Sequence, residues 1–263
     1  MTNSRDESLR HFRSLHLSDR PLVLPNAWDA GSARLIAHAG AAAVATTSAG
    51  VAWSFGHGDG GTIGRERAVD LVAQVVAAVG VPVTADIEDG YGDVAATIRG
   101  VIDAGAVGVN LEDGERPQPE RIAAVRRAAG AALFVNARID TYLREVGDPA
   151  TRLTDTLDRA TAYVEAGADG IFVPGVTDAE TIAALAKEIA VPLNVMAGPG
   201  APSVAELAAL GVARVSVGSA IAQAAYTATA HAARELLTTG TYGALDGALG
   251  FAEIDNLMVR TLL

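Results

Sequence analysis

Two acidic clusters, each closing a short apolar run, carry the residues best suited to chemistry. One is Val83-Thr84-Ala85-Asp86-Ile87-Glu88-Asp89-Gly90-Tyr91-Gly92, and the other is Val107-Gly108-Val109-Asn110-Leu111-Glu112-Asp113. Each run has the composition of a buried strand, and each ends in carboxylates. Asp and Glu disfavour strands, and burying them is costly unless a cation or a hydrogen-bond donor meets them. Hard oxygen ligands converging from two strand ends suit Mg²⁺ or Mn²⁺. These residues predict a metal-dependent enzyme.

The elements that must position them recur along the chain. A helix-like segment, a Gly and a short β-branched run follow one another at His38–Val44, Asp103–Val109, Glu165–Ile171 and Leu210–Val215. Gly just past a helix supplies a left-handed cap, and the apolar run behind it is the next strand. Proline opens other strands at Pro21, Pro82 and Pro192, where no ladder bond is yet required. Eight strands are predicted: Leu22–Leu24, Ala43–Thr46, Val83–Asp86, Gly108–Leu111, Leu133–Ala137, Ile171–Val173, Leu193–Met196 and Val215–Val217. Amphipathic helices such as Arg65–Val79 and Thr151–Ala166 separate them. Strands alternating with helices must run parallel, and eight such units predict a single α/β domain, a (β/α)8 TIM-type barrel over 1–263. An open doubly wound sheet is the alternative, but no G-x-G-x-x-G follows the first strand.

Composition sets the outer limits. The 263 residues are 50% hydrophobic, enough for one large core. A net charge of −11 without a basic stripe argues against nucleic acid or an anionic membrane as partner. With no cysteine, disulfides, thiolate metal sites and a cysteine nucleophile are excluded. No signal-like h-region opens the chain and no apolar run reaches membrane-spanning length, which predicts a soluble cytoplasmic protein. In a barrel, catalytic groups gather at the C-terminal ends of strands. Those ends offer Thr47 and Ser48, then Asp86 and Glu88, then Glu112 and Asp113, then Arg138 and Asp140, with Asn194 inside strand seven.

Several segments then occur in a recognisable order: Asn26-Ala27-Trp28-Asp29-Ala30, Thr47-Ser48-Ala49-Gly50-Val51-Ala52, Asp86-Ile87-Glu88-Asp89-Gly90-Tyr91-Gly92, Leu111-Glu112-Asp113, Asn136-Ala137-Arg138 and Gly170-Ile171-Phe172-Val173-Pro174. Together they resemble the isocitrate lyase/phosphoenolpyruvate mutase superfamily from about Pro21 to Ser219. The resemblance implies a homotetramer or homodimer with a swapped C-terminal helix, drawn from the tail beyond Ser219, and a Mg²⁺ site that takes a 2-oxo acid or its enolate. It implies Asp86 as direct metal ligand, with Glu88 and Glu112 as further ligands or acting through water. Ser48, Ala49 and Gly50 would hold the substrate carboxylate, and Arg138 its other anionic end. Asp59 corresponds to an acidic residue near the metal site, and Asn194 to a looser polar substrate contact.

The departures narrow the reaction. Lyase branches of the superfamily carry a cysteine in the loop after strand four, whereas this loop reads Gly114-Glu115-Arg116-Pro117-Gln118-Pro119. The Lys- and Asn-bearing gating loop of the mutases is also missing, and Thr46 replaces an aromatic residue. The expectation is therefore a Mg²⁺-dependent carbon–carbon lyase or decarboxylase, acting on a small 2-oxo or 2-hydroxy carboxylate through a metal-stabilised enolate without a thiol. Phosphorus–carbon chemistry on a phosphonopyruvate-type substrate is the alternative. A phosphate-binding barrel using Gly198-Pro199-Gly200 and Gly218-Ser219, or a non-catalytic binding protein, belongs to another class.

Overall fold

The β-branched runs form parallel strands because the helices between them carry the chain back to the same end of the sheet. The computed structural model describes residues 4–259, so the termini of the expected 1–263 domain, residues 1–3 and 260–263, lie outside the described residues. The strands are β1 (Leu22–Leu24), β2 (Asn26–Ala27), β3 (Val44–Thr46), β4 (Val83–Asp86), β5 (Gly108–Glu112), β6 (Phe134–Arg138), β7 (Gly170–Val173), β8 (Leu193–Met196) and β9 (Arg214–Ser216). The helices are α1 (Ser4–Leu15), α2 (Ala30–His38), α3 (Ser48–Ser54), α4 (Arg65–Ala78), α5 (Val94–Asp103) and α6 (Pro119–Ala129). They continue as α7 (Arg152–Glu165), α8 (Ala179–Glu188), α9 (Val204–Ala209), α10 (Ala220–Thr238) and α11 (Phe251–Val259).

Every strand pairing is parallel, in the order β1-β9-β8-β7-β6-β5-β4-β3-β2. Only Pro25 separates β1 from β2, so residues 22–27 act as one stave with two neighbours. Leu22–Leu24 lie in register with Arg214–Ser216, and Asn26–Ala27 with Ala45–Thr46. That split stave brings the two ends of the sheet together, and the eight-unit α/β barrel expected from the repeats results. Proline suits the seam because it offers no N–H, while its carbonyl still accepts from Ala45 N at 3.4 Å. Strand ends shift by a residue or so from expectation. Glu112 and Arg138 remain in the ladder because they pair with each other, and Val217 drops out because the chain turns at Gly218 (φ 55°).

Helix α1 was not foreseen from the polar first twenty residues. It caps the N-terminal mouth of the barrel, where Leu9 and Phe12 pack with Leu22, Leu24, Val107 and Phe134. Arg5 anchors it by donating to the carbonyls of Ala106 and Ala132 at 2.9 and 2.6 Å. Gly108 permits the fit, since a Cβ there would lie 3.0 Å from the Phe12 ring. At the other terminus α10 buries only Ala222, and α11 lies against α2 through Arg34 Nη1 to Leu257 O at 3.3 Å. Among the described residues no helix is long and apolar enough to cross a membrane.

Candidate active site

The C-terminal ends of β3 and β4 set the first carboxylate. The Asp86 N–H donates to Thr46 Oγ1 at 2.9 Å, which locks the strand end. The Asp86 side chain accepts from Ser48 Oγ at 3.3 Å and from Glu88 N at 3.2 Å. Burial pushes its carboxyl above the usual carboxylate range and Asp59 adds to this, while Arg138 and the two donors pull the other way. Beyond it the backbone turns left-handed at Glu88 (φ 50°), Gly90 (95°), Tyr91 (53°) and Gly92 (81°). Positive φ is costly for Glu and Tyr, so the segment needs fixing from outside. Tyr91 Oη donates to Glu88 Oε1 at 2.9 Å, and Thr97 Oγ1 to Gly90 O at 2.8 Å. The carboxylate of Glu88 is buried within this turn.

The second cluster divides in two. Glu112, the last residue of β5, accepts from Arg138 Nη1 at 2.8 Å. Arg138 in turn donates to Asp140 at 2.6 and 3.3 Å, and Arg144 bridges Asp140 and Glu112 at 3.0 and 3.4 Å. Burial pushes the Glu112 carboxyl up to about 7, because the Arg138 guanidinium does not offset the loss of water. Asp113 bonds instead toward α7 and the backbone of Asp140. It accepts from Asp140 N at 2.9 Å, Arg159 Nη1 at 2.8 Å and Tyr163 Oη at 2.7 Å. These bonds anchor the β5 and β6 loops to α7.

A cavity of about 170 Å³ opens between these strand ends. Ser48, Ala49, Asp59, Asp86 and Arg138, all singled out in the sequence, line it, with Asn26, Asn110, Ser216 and Ser219 completing the polar side. Leu143, Phe172, Pro174 and Met196 supply an apolar wall. Glu88 and Glu112 border an adjoining outer chamber of about 540 Å³, together with Tyr91, Arg65, Arg121 and Arg144. Two expected contacts stand back from the cavity. Gly50 is buried in α3, where a Cβ would lie 2.8 Å from Thr47 Cγ2 and 2.9 Å from Trp28 Cβ. Asn194 is fully enclosed and its oxygen accepts from Ser216 Oγ at 3.4 Å, one residue behind the wall. Asn110 was quoted in its motif without a role; its signal was an amide in an otherwise apolar run.

The donor set fits a hard divalent cation of the Mg²⁺ type. Among the described residues no three acidic, His or Cys side chains are grouped closely enough to hold a metal ion by themselves. Mg²⁺ does not require such a group, since it binds through one or two carboxylates and keeps several waters. Asp86 lines the cavity and Glu88 and Glu112 the outer chamber, and these are the residues that would hold such a cation.

The sequence profile of the phosphoenolpyruvate phosphomutase family matches residues 12–237. An uncharacterised protein of Mycobacterium tuberculosis is 42% identical over 231 residues, covering 85% of this chain and 87% of that one. The 2-methylisocitrate lyase of Bacillus subtilis is 30% identical over 210 residues, covering 73% and 67%. Other similar proteins bear the names oxaloacetate decarboxylase and 2,3-dimethylmalate lyase. A solved structure from Burkholderia cenocepacia, provisionally designated a lyase/mutase, aligns with a TM-score of 0.90 at 42% identity, covering 98% and 97%. A phosphonopyruvate hydrolase in complex with oxalate and Mg²⁺ aligns at 0.82 with 25% identity, covering 95% and 94%.

Proposed function

This chain belongs to the phosphoenolpyruvate phosphomutase family, and from that premise we propose that it is a Mg²⁺-dependent carbon–carbon lyase or decarboxylase of a small 2-oxo or 2-hydroxy carboxylate. Named relatives are enzymes of lyase, decarboxylase and phosphonopyruvate hydrolase type. The observation that carries the reading is Asp86, a largely enclosed carboxylate that shares one small cavity with Ser48 and Arg138.

Asp86, with Glu88 and Glu112 on its outer side, would hold the cation, which when bound supplies a Lewis acid to the substrate's oxo oxygen. The remaining work falls to the chain. At the start of α3 the first intrahelical donor is Val51 N, so the N–H groups of Ser48 and Ala49, which line the cavity, have no intrahelical acceptor. Together with Ser48 Oγ they suit the substrate carboxylate. Arg138 faces the cavity with a rigid fork whose charge can stabilise the oxyanion that develops as the carbon–carbon bond breaks. One donor of that kind contributes about 3–4 kcal/mol when it binds the transition state better than the ground state. Asp59, on the glycine-rich loop over the cavity, is positioned to take the proton released from a substrate hydroxyl.

Calorimetry with oxalate, a planar mimic of the pyruvate enolate, tests this without knowledge of the substrate. Binding that requires Mg²⁺ and is abolished in folded Asp86→Ala is expected. Oxalate binding in neither condition, or full retention in Asp86→Ala, would overturn the reading.

A further inference from the structure

The interior of a parallel barrel is ordinarily filled by branched apolar side chains. Beneath this cavity Thr84, Asn110, Asn136, Asn194 and Arg214 are instead all enclosed. Arg214 is 1% exposed, on the strand that closes the ring, and its Nε and Nη1 have no hydrogen-bond partner among the described residues. Burial draws its pKa down to about 9 while Asp86 resists, so it remains a cation at neutral pH. An unpaired buried guanidinium is expensive, and its one hydrogen bond is informative.

That bond runs from Arg214 Nη2 to Asn110 Oδ1 at 3.2 Å, and Asn136 Nδ2 donates to the same oxygen at 2.9 Å. A guanidinium has donors only, so it dictates which end of the Asn110 amide faces it. The oxygen is held below, and the Nδ2 protons are turned the other way. Asn110 lines the cavity, and it sits in register with Asp86 on the adjacent strand. No acceptor among the described residues meets that Nδ2. A fixed N–H pair polarised by a buried cation strengthens as a donor. It accepts nothing, and so it selects an oxygen with lone pairs.

Resting on the oxo-acid reading above, we propose that Asn110 binds a carboxylate or oxo oxygen of the substrate through Nδ2, and that Arg214 is the positioning residue that fixes this amide. Neither residue was assigned a role by sequence. The two form a donor relay, with the cation withheld from the substrate and the amide presented to it.

The test uses the intact protein with Mg²⁺ and oxalate. Titration of Asn110→Ala should show affinity reduced by about tenfold or more, and Asn110→Asp by a larger factor, because a donor becomes an anion. Arg214→Met should fall by about tenfold as the amide loses its fixed orientation, with Arg214→Lys recovering part of the loss. In protein labelled with ¹⁵N-asparagine, the Asn110 Nδ2 resonance should move on addition of oxalate, which a purely structural asparagine would not show. Should Arg214→Met fail to fold, the Asn110 variants and this resonance still decide the matter. Affinity within about twofold of wild type in folded Asn110→Ala, or an unmoved resonance, would overturn the assignment and leave the oxo-acid reading standing. Absence of oxalate binding in the wild type would remove both.

Discussion

At Arg138 the guanidinium already serves two carboxylates, and that shapes what a substrate can ask of it. Its geometry is held by Asp140 on one side and Glu112 on the other, so the fork arrives preoriented at the cavity. Arg138→Lys replaces that planar fork with a point charge and should weaken Mg²⁺-dependent oxalate binding by roughly 10- to 150-fold, the worth of a hydrogen bond to a charged group. Equal affinity in calorimetry would make Arg138 a structural bridge. Glu112 adds a pH dependence with a definite sign. Its folded pKa, about 7, lies above the 4.5 of an unperturbed Glu. The folded state therefore binds the extra proton between those values, and Glu112's contribution to stability is present below 4.5 and lost as pH rises through 7. Under the proposed metal role cation affinity runs the other way, because the charged form would be the ligand. Oxalate affinity in Mg²⁺ should drop by up to about tenfold per pH unit below 7, and Glu112→Gln should flatten that slope. Residues at strand ends, Asp86, Ser48 and Arg138, were legible in sequence because position and motif coincide there. Asn110 and Arg214 were not, since a lone polar residue in an apolar run gives no sign of which way it faces.

Helix α3 shows how an element positions chemistry through a residue that never touches it. Gly50 was expected to contact substrate, but its place is against Thr47, Trp28 and Ala222, where the backbone of α3 must approach closely. Gly50→Ala would force those neighbours apart, costing about 1–3 kcal/mol and lowering the midpoint of thermal unfolding. An unchanged midpoint would mean that α3 can shift freely, and with it the N–H groups offered to the carboxylate. The turn after β4 works similarly, since four left-handed residues between Glu88 and Gly92 give it a shape as specific as its charge. Glycines there were read from the sequence, while the positive φ of Glu88 and Tyr91 was not, because neither residue type announces it. Helix α1 escaped notice for a related reason. Its buried face consists of Leu9 and Phe12 among Arg, His, Ser and acidic residues, too sparse a stripe to stand out.

On the scale of the whole molecule, the alternation of helix, Gly and apolar run was enough to foresee the barrel, whereas its seam at Pro25 depends on pairings no local pattern encodes. The ring of helices is also incomplete. Outside β1, Val23 is 41% exposed and borders an apolar groove of about 540 Å³ with Leu22, Ile36 and Ile221. The C-terminal arm presents Leu237 and Phe251 at 84% and 85% exposure. We propose that a second copy of the chain supplies the cover, which is what the resemblance to a swapped-helix family would imply. Light scattering should then give a multiple of the 26.8 kDa chain mass, reduced by deletion of residues 239–263, and a monomeric mass would refute the proposal. The split stave has a consequence of its own for biosynthesis. Its first half, Leu22–Leu24, is made before every other strand, yet its partner Arg214–Ser216 is the last strand of the barrel to emerge. Until then the growing chain is a curled ribbon with two raw edges, open to pairing with other chains. Closure is a long-range event, and until β9 is made the barrel is an unfinished circle.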